Sequence, residues 1–168
     1  MIPDQILNRV VSLILPDSIT EIQHRLFDSF KYENLRNLIG KNVSFINDGA
    51  FHEFLSLEII EFPSLTTVPK YTFIFCKSLK SIDIPNVTSI GEYSFAHCES
   101  LKSIKVPNVN NINNYAFYDC KSLESIDFPK MHKVNDNVFD DCTSLKTINL
   151  FKYQIEEFMP EVCGELYD

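Results

Sequence analysis

Five cysteines and four histidines are the residues of this chain best suited to nucleophilic or metal-binding chemistry. His97 and Cys98 are adjacent in SFAHCESLKSIKVPNV, residues 94–109, with Ser94, Ser100 and several charged residues close by. A thiol next to an imidazole suggests a cysteine nucleophile with its base, or half of a zinc site.

The surrounding sequence argues against both. Cys76, Cys98, Cys120 and Cys142 recur every 22 residues, as do Phe73, Phe95, Phe117 and Phe139, and Leu79, Leu101, Leu123 and Leu145. A fixed period of this length marks a solenoid, whose stacked coils share a continuous core. Upstream, Phe51, Phe54, Leu57, Ile60, Phe62, Leu65 and Val68 fill the same columns, with Phe54 in place of cysteine. Phe27, Phe30, Leu35, Leu38, Val43 and Ile46 follow if a short insertion lies around Tyr32 and Glu33. Val10, Leu13, Leu15, Pro16, Ile19 and Ile22 form the loosest copy, and a deletion near Gln154 aligns Ile155, Cys163 and Leu166. All five cysteines thus share one column with Phe30 and Phe54, which makes it a packing position where cysteine serves as a small hydrophobe. The His97 column holds Phe75, Asp119 and Asp141 elsewhere, so no base is maintained. Cysteines one coil apart would form a line with steps of about 4.8 Å, whereas zinc needs ligands that converge. His24, His52 and His132 occupy three different columns. The sequence assigns no catalytic residue, no metal ligand and no cofactor, and an enzyme is not expected.

Within one unit, Ile82 and Ile84 alternate with Ser81 and Asp83, the pattern of a short strand, and Pro85 ends it for want of an N–H. Val87 and Ile90 point inward from a second short extended stretch. Phe95 and Cys98, three apart, share one face of a helical or 3₁₀ turn. The expected fold is a repeat solenoid: one domain over residues 1–168, with an N-terminal cap at 1–9, about six repeats over 10–150, and a degenerate last repeat or cap at 151–168.

The unit SLKSIDIPNVTSIGEYSFAHC, residues 78–98, resembles the BspA-like class of leucine-rich repeats. The resemblance runs from residue 10 to 166 and is strongest over 57–150, with units of 22 residues where the family commonly has 23. It implies a right-handed, curved coil with short parallel β-strands on the concave face. It also implies a non-enzymatic role in protein recognition, often at cell surfaces.

A net charge of −8 and a pI near 5.0 argue against a nucleic-acid ligand. No apolar run approaches the length of a membrane span. The first residues carry Asp4 ahead of Arg9 and do not read as an export signal, so a cytoplasmic location is expected. The alternative is a cell-surface location reached without a visible signal. NVS at Asn42 and NVT at Asn86 match glycan acceptor sites, although Asn-Val is also simply part of the repeat.

A partner is expected on the outward strand positions. One column runs Asn37, Ile59, Ser81, Ser103, Ser125, Thr147; the next runs Ile39, Glu61, Asp83, Lys105, Asp127, Asn149. Ile39 and Ile59 are apolar exceptions, with Phe45 expected nearby, and such a cluster rimmed by acids is where binding energy concentrates. The candidate contact residues are therefore Ile39, Ile59, Glu61, Asp83, Ser103, Lys105, Asp127 and Asn149. KNVSF, residues 41–45, resembles the basic-x-Val-x-Phe motif by which regulators dock on protein phosphatase 1. Lys41, Val43 and Phe45 would carry it, although Val43 falls in an inward column and Phe45 in an outward one. The expectation is an intracellular adaptor or regulator that binds another protein, with a Ser/Thr phosphatase catalytic subunit as the specific version. The alternative is an adhesion protein that binds host or matrix proteins; self-association through the last coil is a further option. Tyr71, Tyr93 and Tyr115 form one more column, expected to be a stacked ladder.

Chemical denaturation checks the inward columns: Leu101→Ala or Ile104→Ala should lower stability by about 2–5 kcal/mol, and Cys98→Ala by far less.

Overall fold

Backbone hydrogen bonds tie each coil to its neighbours in a computed structural model that describes residues 4–23, 26–131 and 133–150. A short helix, α1 (Asp4–Leu7), leads into β1 (Ser12–Ile14), β2 (Glu21–Ile22), β3 (Asn37–Ile39), β4 (Phe45–Ile46), β5 (Ile59–Glu61) and β6 (Thr67–Val68). There follow β7 (Ser81–Asp83), β8 (Ser89–Ile90), β9 (Ser103–Lys105), β10 (Asn111–Ile112), β11 (Ser125–Phe128) and β12 (Thr147–Leu150). The longer strands form one parallel sheet of seven, in the order β1-β3-β5-β7-β9-β11-β12. The two-residue strands form β6-β8-β10 and β2-β4 on another side of the coil. The fold is the parallel-strand solenoid expected from the repeat.

Register follows the period. Asn37 lies beside Ile59, Ile59 beside Ser81, Asp83 beside Lys105, and Ser125 beside Thr147, each 22 residues on. Only the first step is longer, Ser12 pairing with Asn37. On a third side the chain makes a ladder without strands. The N–H groups of Tyr71, Phe73 and Phe75 donate to the carbonyls of Glu92, Ser94 and Ala96 at 2.9, 2.8 and 2.9 Å. Tyr93, Phe95 and His97 repeat this one coil later, donating to Asn114, Ala116 and Tyr118 at 3.3, 2.8 and 2.8 Å. Alternate residues reach this geometry in the left-handed region, with φ of 59° at Tyr71, 61° at Phe75, 52° at Tyr93 and 61° at His97. Each such residue costs about 1–2 kcal/mol, tolerated because it aims an otherwise orphaned N–H at the next coil. The expected helical turns are single i→i+3 turns here, such as Cys98 N–H to the Phe95 carbonyl at 3.1 Å. Among the described residues only Asp136–Phe139 forms a 3₁₀ helix.

Side chains at equivalent positions stack. Phe51, Phe73, Phe95, Phe117 and Phe139 run along the core with ring centroids 5.2–5.6 Å apart. Tyr71, Tyr93 and Tyr115 form the expected outer ladder, at 5.7 and 4.9 Å. Asparagine side chains staple the coils as well. Asn42, Asn86 and Asn108 donate their amides to the carbonyls of Asp17, Pro63 and Pro85 at 2.8–2.9 Å. The Asn of the Asn-Val pairs at 42, 86 and 108 is thus a cross-coil hydrogen bonder, a role the motif alone did not reveal.

One sequence assignment changes. Phe30 does not sit in the cysteine column; it is 83% exposed. Tyr32 takes that place, edge-on to Phe27 at 5.4 Å, as Phe54 is to Phe51 at 5.7 Å. The Tyr32 carbonyl accepts from Leu35 N–H at 2.9 Å, the bond that Phe54 makes with Leu57. The extra residues therefore lie between Phe27 and Tyr32. They turn on Asp28, whose carboxylate accepts from the Phe30 N–H at 3.0 Å. The positions assigned above to Ile155, Cys163 and Leu166, and to the 151–168 cap, lie outside the described residues.

Close approach of coils also fixes one glycine. A Cβ on Gly91 would lie 2.5 Å from the backbone of Pro69 and Lys70. Gly91→Ala should therefore lower the urea midpoint, by roughly 1–3 kcal/mol of stability.

Candidate protein-binding face

From β1 to β11 the strands of the seven-stranded sheet alternate as their sequence demands, whereas in β12, the last strand of the sheet, Ile148 is exposed as well. Leu38, Ile60, Ile82, Ile104 and Ile126 face the core. Glu61, Asp83, Ser103, Lys105, Asp127 and Asn149 are exposed, and Ile39 is half-buried. Pairing of β3, β5 and β7 places Ile39 beside Glu61, Glu61 beside Asp83, and Ile59 in the neighbouring column. Ser103, Lys105, Asp127 and Asn149 meet around a shallow depression of about 350 Å³ on the same face. The candidate contact residues thus lie on one sheet, in two groups.

Phe45 does not join them. It is 52% exposed but stands on β4, in the two-stranded sheet, because alternation within Phe45–Ile46 turns it outward on a different side of the coil. Its surroundings are Asn47, Asp48 and Pro69. The apolar member that sequence reasoning missed is Ile14, which is 67% exposed and pairs directly with Ile39. The signal was available: Leu13 and Leu15 face inward, so Ile14 between them must face out.

Charges divide by location. Off the face, several are bridged, mostly from coil to coil. Glu58 takes Lys80 at 2.7 Å and Arg36, Lys77 reaches Glu99 at 3.0 Å, and Asp119 takes His97 at 2.9 Å and Lys121 at 3.1 Å. Hydrogen bonds from Lys80 and then Arg36 hold the Glu58 carboxyl below its ordinary range. On the face, Glu61, Asp83, Lys105 and Asp127 make no ion pair among the described residues, although Asp83 and Lys105 lie in register. Glu61 and Asp83, two like charges, are direct strand neighbours, an arrangement that a sheet pays for in stability.

The sequence matches the BspA type leucine-rich repeat region, in six copies, over residues 7–107 and 66–164. The chain belongs to the BspA-type leucine-rich repeat family. Among solved structures it is similar to a leucine-rich repeat protein from Bacteroides ovatus ATCC 8483, with 30% identity and a TM-score of 0.73 over 83% of this chain and 37% of that one. It is also similar to the T. pallidum leucine-rich repeat protein, TpLRR, with 27% identity and a TM-score of 0.74 over 83% of this chain and 69% of that one. This BspA-type chain therefore spans little more than a third of the B. ovatus protein. No curated protein matches the sequence.

The His97–Cys98 pair of this BspA-type chain has a structural explanation. Cys76, Cys98, Cys120 and Cys142 each direct the thiol at a phenylalanine carbonyl one coil back, 3.0–3.3 Å away. The thiol is thus a buried donor as well as a small packing group. Burial pushes Cys76 up to about 12 and raises Cys98 and Cys120 well above the ordinary thiol value. These three thiols are poor nucleophiles near neutrality; Cys142 is only half-buried, and its hydrogen bond with Cys120 lowers its pKa instead. His97 stacks on Phe75 at 4.4 Å and bonds Asp119 through Nδ1, facing away from the buried thiol column. Among the described residues no group of three or more His, Cys, Asp or Glu could hold a metal ion, and no helix is long and apolar enough to cross a membrane.

In KNVSF, Lys41 and Phe45 are exposed while Val43 is fully buried. Gly40 leaves no hole that would loosen this coil. A Cβ there would meet Val43 at 2.6 Å, Phe62 at 3.0 Å and Leu15 at 3.2 Å.

The His97–Asp119–Lys121 bridge predicts a pH effect. Burial opposes ionisation of Asp119, but hydrogen bonds from His97 and Lys121 outweigh it and lower its pKa. Its stabilisation is present above the unfolded carboxylate value of about 4 and is lost as pH falls through the lower folded value. Urea midpoints should therefore separate wild type from Asp119→Asn at pH 6, and the gap should close on acidification to about pH 2.

Proposed function

We propose that this chain is a protein-binding module whose seven-stranded sheet is the docking face, with Ile14, Ile39 and Ile59 as its anchors. The observation that carries this reading is the placement of three isoleucines on adjacent strands, outward, where later coils carry serine, threonine or charge. No fold requirement explains them, since the same columns tolerate Ser81, Ser103 and Asp127. An exposed apolar cluster on a rigid sheet, rimmed by polar groups, has the composition of an interface centre. Family membership supports the same reading, since repeats of this kind act as binding modules. In its fuller form the proposal is one domain over 1–168 that works in the cytoplasm as an adaptor or regulator; adhesion at a cell surface is the alternative.

A second reading rests on Phe45, exposed on a different sheet. Docking of KNVSF on a phosphatase would engage Lys41 and Phe45 as they stand. Val43 would have to leave the core, at a cost of about 1.5–3 kcal/mol, which disfavours it.

The test is capture from an extract of the source cells on immobilised protein, with mass-spectrometric identification. Ile39→Asp and Ile59→Asp should each reduce the captured partner at least tenfold, with the melting temperature unchanged, while Phe45→Ala leaves capture intact. Capture unaffected by either isoleucine variant would overturn the reading; a phosphatase lost only with Phe45→Ala would establish the second.

A further inference from the structure

The docking face is polarised along the solenoid, and this polarity specifies the partner's chemistry. Across β1, β3, β5 and β7, the outward residues in register read Ile14, Ile39, Glu61 and Asp83, with Ile59 alongside. The span from β1 to β7 is three strand steps, about 14 Å, the length of a helix of about ten residues. One end offers apolar surface and the other offers two adjacent carboxylates.

Those carboxylates differ from the acids that are bridged off the face. Glu58 and Glu99 are each paired with a lysine from a neighbouring coil, and Asp119 takes Lys121 of its own coil and His97 of the coil before. Among the described residues Glu61 and Asp83 have no such partner, and they repel each other across β5 and β7. Lys105, one strand further, lies in register with Asp83 without bridging it. The face therefore combines a desolvatable apolar end with two unbridged carboxylates beside it. A second copy of this chain is a poor occupant, since each copy carries a net charge of −8.

We propose, building on the docking-face reading, that the occupant is a protein segment carrying aliphatic side chains followed by lysines or arginines on the same face. The aliphatic groups cover Ile14, Ile39 and Ile59, and the cations lie over Glu61 and Asp83. Arginine suits this site because its planar guanidinium can bridge two adjacent carboxylates. Burial of the neighbouring apolar surface lowers the local dielectric and strengthens that pairing.

The experiment uses the full chain and two fluorescent helical peptides of about a dozen residues. Both carry leucines on one face of the first half; the second half of that face carries arginines in one peptide and glutamates in the other. Anisotropy titrations at low salt should give at least tenfold tighter binding of the arginine peptide, with a preference that shrinks as salt rises. The double variant Glu61→Lys/Asp83→Lys should reverse the preference, and Ile39→Asp should weaken both peptides. Equal binding of the two peptides, binding of neither, or a preference that survives the double charge reversal overturns the proposal. Such a result leaves the docking face standing if Ile39→Asp still abolishes capture from extract; loss of both effects removes the docking face as well. Sedimentation velocity supplies the remaining outcome: a dimer dissolved by Ile39→Asp would make a second copy the occupant and overturn the proposal.

Discussion

The coil-to-coil backbone ladder is the constraint on which the rest of this molecule depends. The N–H groups on one coil find their carbonyls on the next only if both coils have the same length and conformation. Seven strands are paired in one sheet, and the turn segments pair through alternate residues such as Phe73 to Ser94 and Phe95 to Ala116. A buried backbone group left without a partner costs about 1–3 kcal/mol, so a change of length inside a coil is expensive several times over. Two irregularities are tolerated among the described residues: one extra residue between β1 and β2, and the insertion between Phe27 and Tyr32, which supplies its own turn at Asp28.

Fixed coil length brings like residues into contact with like. The chain uses this where identity is favourable: stacked phenylalanines inside, stacked tyrosines outside, asparagine amides on prolyl carbonyls, and thiols on phenylalanine carbonyls. Where identity would be unfavourable it alternates sign, as in Arg36, Glu58 and Lys80. The seven-stranded face departs from this economy. It stacks Glu61 on Asp83 and leaves Ile14 and Ile59 in water. Phe30, Phe45 and Leu55 are exposed elsewhere, but on this face apolar side chains on adjacent strands lie beside stacked carboxylates, and that combination is the physical basis for assigning binding to it.

Most of the fold was legible because it is periodic. The spacing of Cys76, Cys98, Cys120 and Cys142 gives the coil length, and the alternation of Ser81, Ile82 and Asp83 gives the strand and its outward faces. The loose second copy was misaligned because Phe30 and Tyr32 are both aromatic and only hydrogen-bond register separates them. The left-handed turns were hidden, since tyrosine, phenylalanine, histidine, glutamate and aspartate occupy most of them, with glycine at Gly49 alone among the described residues. The thiol and amide hydrogen bonds were also hidden, because each joins residues more than twenty positions apart. Of the candidate site, the polar outward positions and Ile39 and Ile59 were readable from alternation. The separation of Phe45 from them depends on which sheet each short strand joins, and composition does not encode that.

Site-specific photo-crosslinking tests the central claim most directly. A photoreactive side chain at position 81, between β5 and β9 on the seven-stranded face, is compared with one at position 89 on β8, on the three-stranded sheet. In extract from the source cells, the account predicts a covalent adduct from position 81 to a protein whose crosslinked peptide carries aliphatic and basic residues, and none from position 89. Adducts from position 89 alone, or equal labelling from both, would contradict it.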